Sequence, residues 1–214
     1  KARPHWDEAW FMLCLLALTG FHGLTMMPLW EKGVSSFARV VGDSGSLLSS
    51  FTVFLSLSLT VPAIVYAGAV GVTYQVTSRK VPFKKLFSSL AFVTLPLAFA
   101  YHLAHNLGHV VRESDGALSL FLNPLGTGAS PLSVIEKQSR HLDMLISPEL
   151  VFALQAGLMV FGFWIALKVL HHRGLALLPQ GTPAAAGLAP MVLLAAGFTG
   201  FHLWLLMQPM IMRL

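Results

Sequence analysis

The sequence predicts an all-α integral membrane protein, a bundle of about five transmembrane helices. Of its 214 residues, 55% are hydrophobic and only 11% are charged, whereas soluble domains carry about a quarter charged residues. Five apolar runs are each long enough to cross a bilayer, which takes about 20 residues. So few charges could not cover a water-facing surface, and this excludes a soluble globular domain.

Each run carries signals typical of a membrane-spanning helix. Tryptophans, which favour the membrane interface, bracket the first run. Prolines inside the second and third runs predict kinks at Pro62 and Pro96. The fourth run opens with Ser147 followed by Pro148, a helix cap and a favoured first helical residue. The predicted spans are residues 9–30, 47–74, 86–111, 147–170 and 186–211.

The basic residues predict the orientation of the bundle. Eight Lys and Arg against two acids fall on the side of the N-terminus, and six against seven acids fall on the other side. Four of the eight crowd the short connection between spans two and three. By the positive-inside rule, the N-terminus is inside and the C-terminus is outside. The long loop 112–146 then lies outside, and we expect a short amphipathic helix near residues 131–145.

Cysteine content and net charge exclude several kinds of function. The single cysteine, Cys14, lies in the first run. It rules out an intrachain disulfide and any iron–sulfur cluster or zinc site built from thiolates of this chain alone. The net charge of +5 comes from loop residues rather than from a basic face interleaved with aromatic rings, so it does not indicate nucleic-acid binding.

Histidines inside the spans are the main functional signal. Of the nine histidines, five fall within predicted spans: His22, His102, His105, His109 and His202. Ionisable side chains within a membrane are costly and by default indicate a functional site. His22, His102 and His202 lie on spans that run in the same direction, at depths that agree to within about 5 Å at 1.5 Å per residue. They are therefore expected in one layer, in the outer half of the bilayer.

Two sequence patterns strengthen this expectation. The sequence Thr-Gly-Phe-His occurs at residues 19–22 and again at 199–202, so His22 and His202 are predicted to reach one shared site. On span three, His102 and His109 are only about 20° apart around the helix, with His105 within about 60° of His102. The same stripe includes Asn106 and Glu113, and it should face the bundle interior.

Three chemistries suit such a layer. Haem b would take axial imidazoles from two helices, with His22, His102, His109 and His202 as candidate ligands and His105, Asn106 and Glu113 as supporting or proton-path groups. A quinol site would use a histidine as a proton acceptor. A copper site would combine the two repeat histidines with methionines, namely His22 with Met26 and His202 with Met207. A structural subunit without a cofactor is the remaining alternative.

Three sequence patterns also resemble the membrane portion of NapH/NosR-like polyferredoxin proteins. These are the Thr-Gly-Phe-His segments, residues 101–106 (Tyr-His-Leu-Ala-His-Asn), and span four with its Leu-Gln-Ala-Gly-Leu and terminal His-His-Arg sequences. The resemblance implies electron transfer between quinol and periplasmic or cytoplasmic partners. The family's cysteine clusters are absent from this sequence, so the resemblance implies that they lie on another segment or subunit.

The sequence as a whole therefore predicts a subunit of a membrane redox complex in the bacterial inner membrane. It would relay electrons through haem b or a quinol site to other membrane or periplasmic subunits, and would itself be a non-catalytic part of an oxidoreductase. The copper-binding or metal-transport interpretation and the structural interpretation remain as alternatives.

Overall fold

The computed structural model describes residues 5–43, 48–128 and 146–208, and it describes residues 112–120 by their backbone only. The described residues form helices and no strand, and five of the helices are long and apolar enough to cross a membrane. The predicted all-α class and its five candidate membrane helices are thus confirmed. The helices are α1 (Trp6–Thr25), α2 (Pro28–Val41), α3 (Leu48–Val76), α4 (Phe83–Leu90), α5 (Thr94–Leu122), α6 (Pro148–Leu175) and α7 (Ala184–Met207).

The first apolar run, predicted as one span over residues 9–30, is divided between two helices. α1 ends at Thr25, and α2 begins at Pro28 after a turn. Pro28 lacks an N–H and cannot continue a helix through its own position, but it suits the first position of a new one. The second helix is amphipathic: Trp30, Val34 and Ala38 are buried along one side.

α3 is fastened to the end of α2 by one carboxylate. α2 ends at Gly42, whose φ of 71° is the left-handed conformation that glycine adopts readily. The next residue, Asp43, accepts hydrogen bonds from the backbone N–H and the hydroxyl of Ser50, both at 2.8 Å. Because these bonds favour the charged carboxylate, they hold the pKa of Asp43 below its ordinary value of 3.8.

This contact gives a prediction outside the membrane-spanning part. A depressed pKa means that the Asp43–Ser50 contact stabilises the fold fully above pH 3.8 and is lost as the pH falls through the lower folded-state pKa. We expect the Ser50 amide proton, followed by NMR, to titrate with a midpoint below 3.8. Asp43→Asn should abolish that titration. A midpoint at or above 3.8 in the native chain would contradict the prediction.

α5 is the central helix of the bundle. In the most apolar 18-residue stretch of Phe83–Val111, which covers α4 and much of α5, 67% of the residues are buried. In the corresponding stretch of α3, 11% are buried. A 3₁₀ turn, Ala91–Val93, joins α4 to α5 one turn before Pro96. Since Pro96 has no N–H to bond the carbonyl four residues earlier, the backbone ladder is interrupted where the sequence predicted a kink. α5 then extends to Leu122, so the first part of the predicted loop 112–146 is helical. The helix expected near residues 131–145 lies outside the described residues.

α5 packs closely on α6. A Cβ on Gly162 would overlap the Ala100 side chain, so the missing side chain lets the two backbones approach. One turn further along, the Gln155 side chain donates a 2.8 Å hydrogen bond to the carbonyl of Ala104. These contacts fix the rotation of α5. They turn the Ala100–Ala104 side toward α6 and leave its other sides to α1 and α7.

α1, α5 and α7 run in the same direction. At one end of the bundle, the Trp6 ring lies 4.5 Å from that of Phe87, in α4 just before α5. Toward the other end, the His22 ring lies 4.8 Å from that of His105. The first of these ends carries Arg79, Lys84, Lys85 and Arg173 and is called the basic end below; the opposite one is called the far end.

Candidate functional site

The centre of the candidate site is a stacked pair of rings from α5 and α7. The ring centroids of Tyr101 and His202 are 4.2 Å apart and the ring planes are inclined by 16°. Each residue is only 1% exposed. Gly23 of α1 makes the space for this pair, because a Cβ there would overlap the Tyr101 hydroxyl. At Gly20, a Cβ would lie 3.5 Å from His202 Nε2.

A second group of rings continues from this pair toward the far end. His105, one turn beyond Tyr101, is 4% exposed. Its ring centroid lies 5.8 Å from Tyr101, 4.8 Å from His22 and 5.3 Å from His109. We call the series His202, Tyr101, His105 and His22 the histidine column. Successive contacts along it place the His202 and His22 rings no more than about 15 Å apart.

Most polar atoms of the column have no hydrogen-bond partner among the described residues. These are the Tyr101 hydroxyl, both ring nitrogens of His105, and Nδ1 of His202. A buried polar group without a partner costs about 1–3 kcal/mol. Several such groups in one place, inside an otherwise apolar bundle, indicate a site that binds or transfers something.

The predicted site residues divide into two groups. His22, His105, His109 and His202 meet through ring contacts on α5. His102, predicted as a ligand, is exposed, and its nearest polar neighbour is Asn106, whose Nδ2 lies 3.3 Å from the His102 Nδ1. His105, predicted as a supporting residue, takes the central position instead. The side chain of Glu113 lies outside the described residues.

The methionines of the copper alternative lie at the ends of their helices. Met26 directly follows the last residue of α1, and Met207, the last residue of α7, is 67% exposed. Over the described ranges, no group of three or more His, Cys, Asp or Glu side chains is arranged to hold a metal ion.

A cavity of about 610 Å³ lies between α1, α3 and α7, with His202 in its wall. Seventeen described residues line it; fifteen are apolar or glycine, and the other two are His202 and Ser58. The Ser58 hydroxyl already donates to the Phe54 carbonyl at 2.8 Å. Among the described lining residues, His202 is therefore the one whose side chain is free to donate a hydrogen bond to a molecule in the cavity. This volume is in the usual range for sites of small organic ligands.

The cavity opens between α3 and α7. Three lining residues of α3, namely Leu57, Val61 and Val65, are at least half exposed, and Leu193 of α7 is 72% exposed. In a membrane these apolar side chains would face acyl chains. A ligand from the bilayer could therefore reach His202 without crossing water.

One aromatic ring of α2 packs against two phenylalanines of the cavity wall. Trp30 packs edge-on against Phe21 and Phe54, both of which line the cavity, with centroid distances of 5.4 Å each. Phe51 of α3 belongs to the same group of rings, and its ring centroid lies 6.0 Å from that of Phe21. The sequence alone does not predict this contact, because the apolar run places Trp30 in the first span.

Tyr101 and the cavity were also missed from the sequence. Tyr101 precedes His105 by four residues, the spacing that puts two side chains on one helix face. That signal was present. The cavity, by contrast, depends on how three helices pack, and no local pattern reports it.

No family model matches the chain, and neither a curated protein nor a solved structure matches it.

Proposed function

We propose that this chain is the membrane subunit of a redox complex and that it binds a quinol in the cavity beside His202. The observation that carries the proposal is the buried imidazole in the wall of an otherwise apolar cavity of about 610 Å³. A quinol has a polar head with two oxygens and an apolar tail. The imidazole matches the head, and the lipid-facing opening between α3 and α7 matches the tail.

The chemistry of quinol oxidation suits the surroundings of His202. Oxidation releases two electrons and two protons per quinol, and a neutral imidazole is a suitable acceptor for a proton. The adjoining Tyr101 and His105 offer further polar atoms without partners. The electrons would then pass to a cofactor on another segment or subunit, since Cys14 alone cannot hold a cluster. The resemblance to NapH/NosR-like proteins supports such a partner and a location in the bacterial inner membrane.

Haem b at the histidine column is the second candidate. It is favoured by His105, whose two ring nitrogens are both buried without partners. Against it, the His22 and His105 rings are in direct edge contact at 4.8 Å, which leaves no room for a macrocycle between them. In addition, the described part of the cavity lining includes a single histidine. The geometry therefore favours quinol.

The purified protein distinguishes these candidates. We expect quinone, extracted from protein prepared in mild detergent and quantified by chromatography, to approach one molecule per chain, with no Soret band. A Soret band without quinone would favour haem b. If neither is found, and added quinone does not bind, the proposal is overturned in favour of a structural subunit.

The orientation N-terminus inside and C-terminus outside belongs to the same proposal. It is supported by the asymmetric distribution of basic residues, which include Arg79 and Lys80 between α3 and α4. In a Cys14→Ser background, we expect a cysteine at Ser78 to be labelled by an impermeant thiol reagent only from the cytoplasm. A cysteine at Thr127 should be labelled only from the other side. Labelling of both positions from one side would disprove the orientation.

A further inference from the structure

Phenylalanine rings form part of the cavity wall near His202, among aliphatic side chains. Phe201 and Phe198, neighbours of His202 on α7, have ring centroids 5.6 Å and 6.3 Å from the imidazole, and Phe21 of α1 also lines the cavity. Of the two polar residues in the described lining, Ser58 already donates its hydroxyl hydrogen bond to the Phe54 carbonyl. The ligand head thus meets one imidazole and several apolar rings.

Lipid-soluble quinones fall into two chemical classes that such walls would distinguish. Dimethoxybenzoquinones carry two ether oxygens beside the carbonyls, and these accept hydrogen bonds from water or from a protein. Naphthoquinones carry a fused benzene ring in their place. Burying an acceptor without a donor costs free energy, whereas an added aromatic ring gains contact area and favourable ring geometry against phenylalanines.

We infer that the cavity selects naphthoquinols over methoxylated benzoquinols, because apart from His202 the described side chains that line it have no free hydrogen-bond donor. The inference rests on the proposed function, since it names the quinol class that the same site takes. The fused ring lies among the phenylalanines, and one carbonyl or hydroxyl of the head bonds the imidazole. The isoprenoid tail leaves between α3 and α7.

Equilibrium binding to the full chain in detergent tests the inference. The probes are menaquinone-1 and ubiquinone-1, which carry the same single isoprenoid unit on the two kinds of head. We expect menaquinone-1 to bind at least tenfold more tightly. Equal binding, or tighter binding of ubiquinone-1, overturns the inference and leaves the quinol site standing. If neither binds, both the inference and the proposed function fail.

A one-atom change gives a matched test of the reason for the selectivity. Phe198→Tyr adds a hydroxyl donor to a ring that lines the cavity without altering the ring framework. We expect this variant to reduce the preference for menaquinone-1 several-fold, mainly by binding ubiquinone-1 more tightly. Phe161→Tyr, on the exposed side of α6, is the control and should leave the ratio unchanged. A Phe198→Tyr ratio as large as that of the native chain would overturn the argument from missing donors.

Discussion

Gly23→Ala should destabilise the bundle by about 1–3 kcal/mol, the range for overpacked sites. The added Cβ would overlap the Tyr101 hydroxyl and would lie 3.1 Å from the ring carbon that bears it and 3.5 Å from Leu205 Cδ1. Tyr101 cannot easily withdraw, because it is 1% exposed and stacked on His202. The strain should exceed the gain in helix propensity of up to about 1 kcal/mol when glycine becomes alanine. Reversible unfolding in mixed micelles measures the change.

Gly200→Ala is the matched control for this substitution. Gly200 lies in the second Thr-Gly-Phe-His segment, and a Cβ there would meet nothing within 4 Å. We expect it to be neutral or slightly stabilising. Adding Tyr101→Phe to Gly23→Ala removes the overlapping oxygen and should restore part of the lost stability. Equal effects at Gly23 and Gly200, or no rescue by Tyr101→Phe, would contradict this packing.

The two Thr-Gly-Phe-His segments show what a repeated sequence can and cannot predict. The repeat led to the expectation that His22 and His202 share a site with span three, and both do contact α5, through His105 and Tyr101. The surroundings are not equivalent, however. His202 is 1% exposed inside the bundle, whereas His22 is exposed. Four identical residues fix depth and direction along a helix, but neighbouring helices decide burial.

The same limit applies to the stripe on α5. Spacing placed His102, His105 and His109 on one side of the helix, but it could not tell which of them would lie innermost. That choice depends on the rotation of α5, which is fixed by Gly162 and Gln155 of α6, more than 50 residues away in sequence. The described rotation buries His105 and leaves His102 exposed.

Local signals did predict the membrane helices, because length and apolar composition are sufficient for that purpose. They also contained the division between α1 and α2. Pro28 was visible, yet the apolar run continued through it to Trp30, and hydropathy alone does not separate a spanning helix from an amphipathic one that follows directly. Pro28, read as the first residue of a new helix, predicts α2.

The last prediction separates function from stability at His202. His202→Phe should keep a flat ring stacked on Tyr101 while removing Nδ1, which is buried without a partner among the described residues. Removing such an atom relieves a cost of about 1–3 kcal/mol, so we expect the variant to be as stable as the native chain or more stable. The same change removes the one free side-chain donor among the described residues of the cavity wall, and quinone binding should weaken at least tenfold.

If His202 is retained for function despite its cost to stability, the unfolding free energy should rise in the variant whose quinone binding falls. His202→Gln keeps a donor and should retain part of the binding. His102→Leu, on the exposed side of α5, should leave quinone binding unchanged; if His102 were instead a haem ligand, this variant would alter the visible spectrum. The measurements are the quinone dissociation constant and the unfolding free energy of each variant. If His202→Phe bound quinone as tightly as the native chain, His202 would be a packing residue and the quinol would have to bind elsewhere.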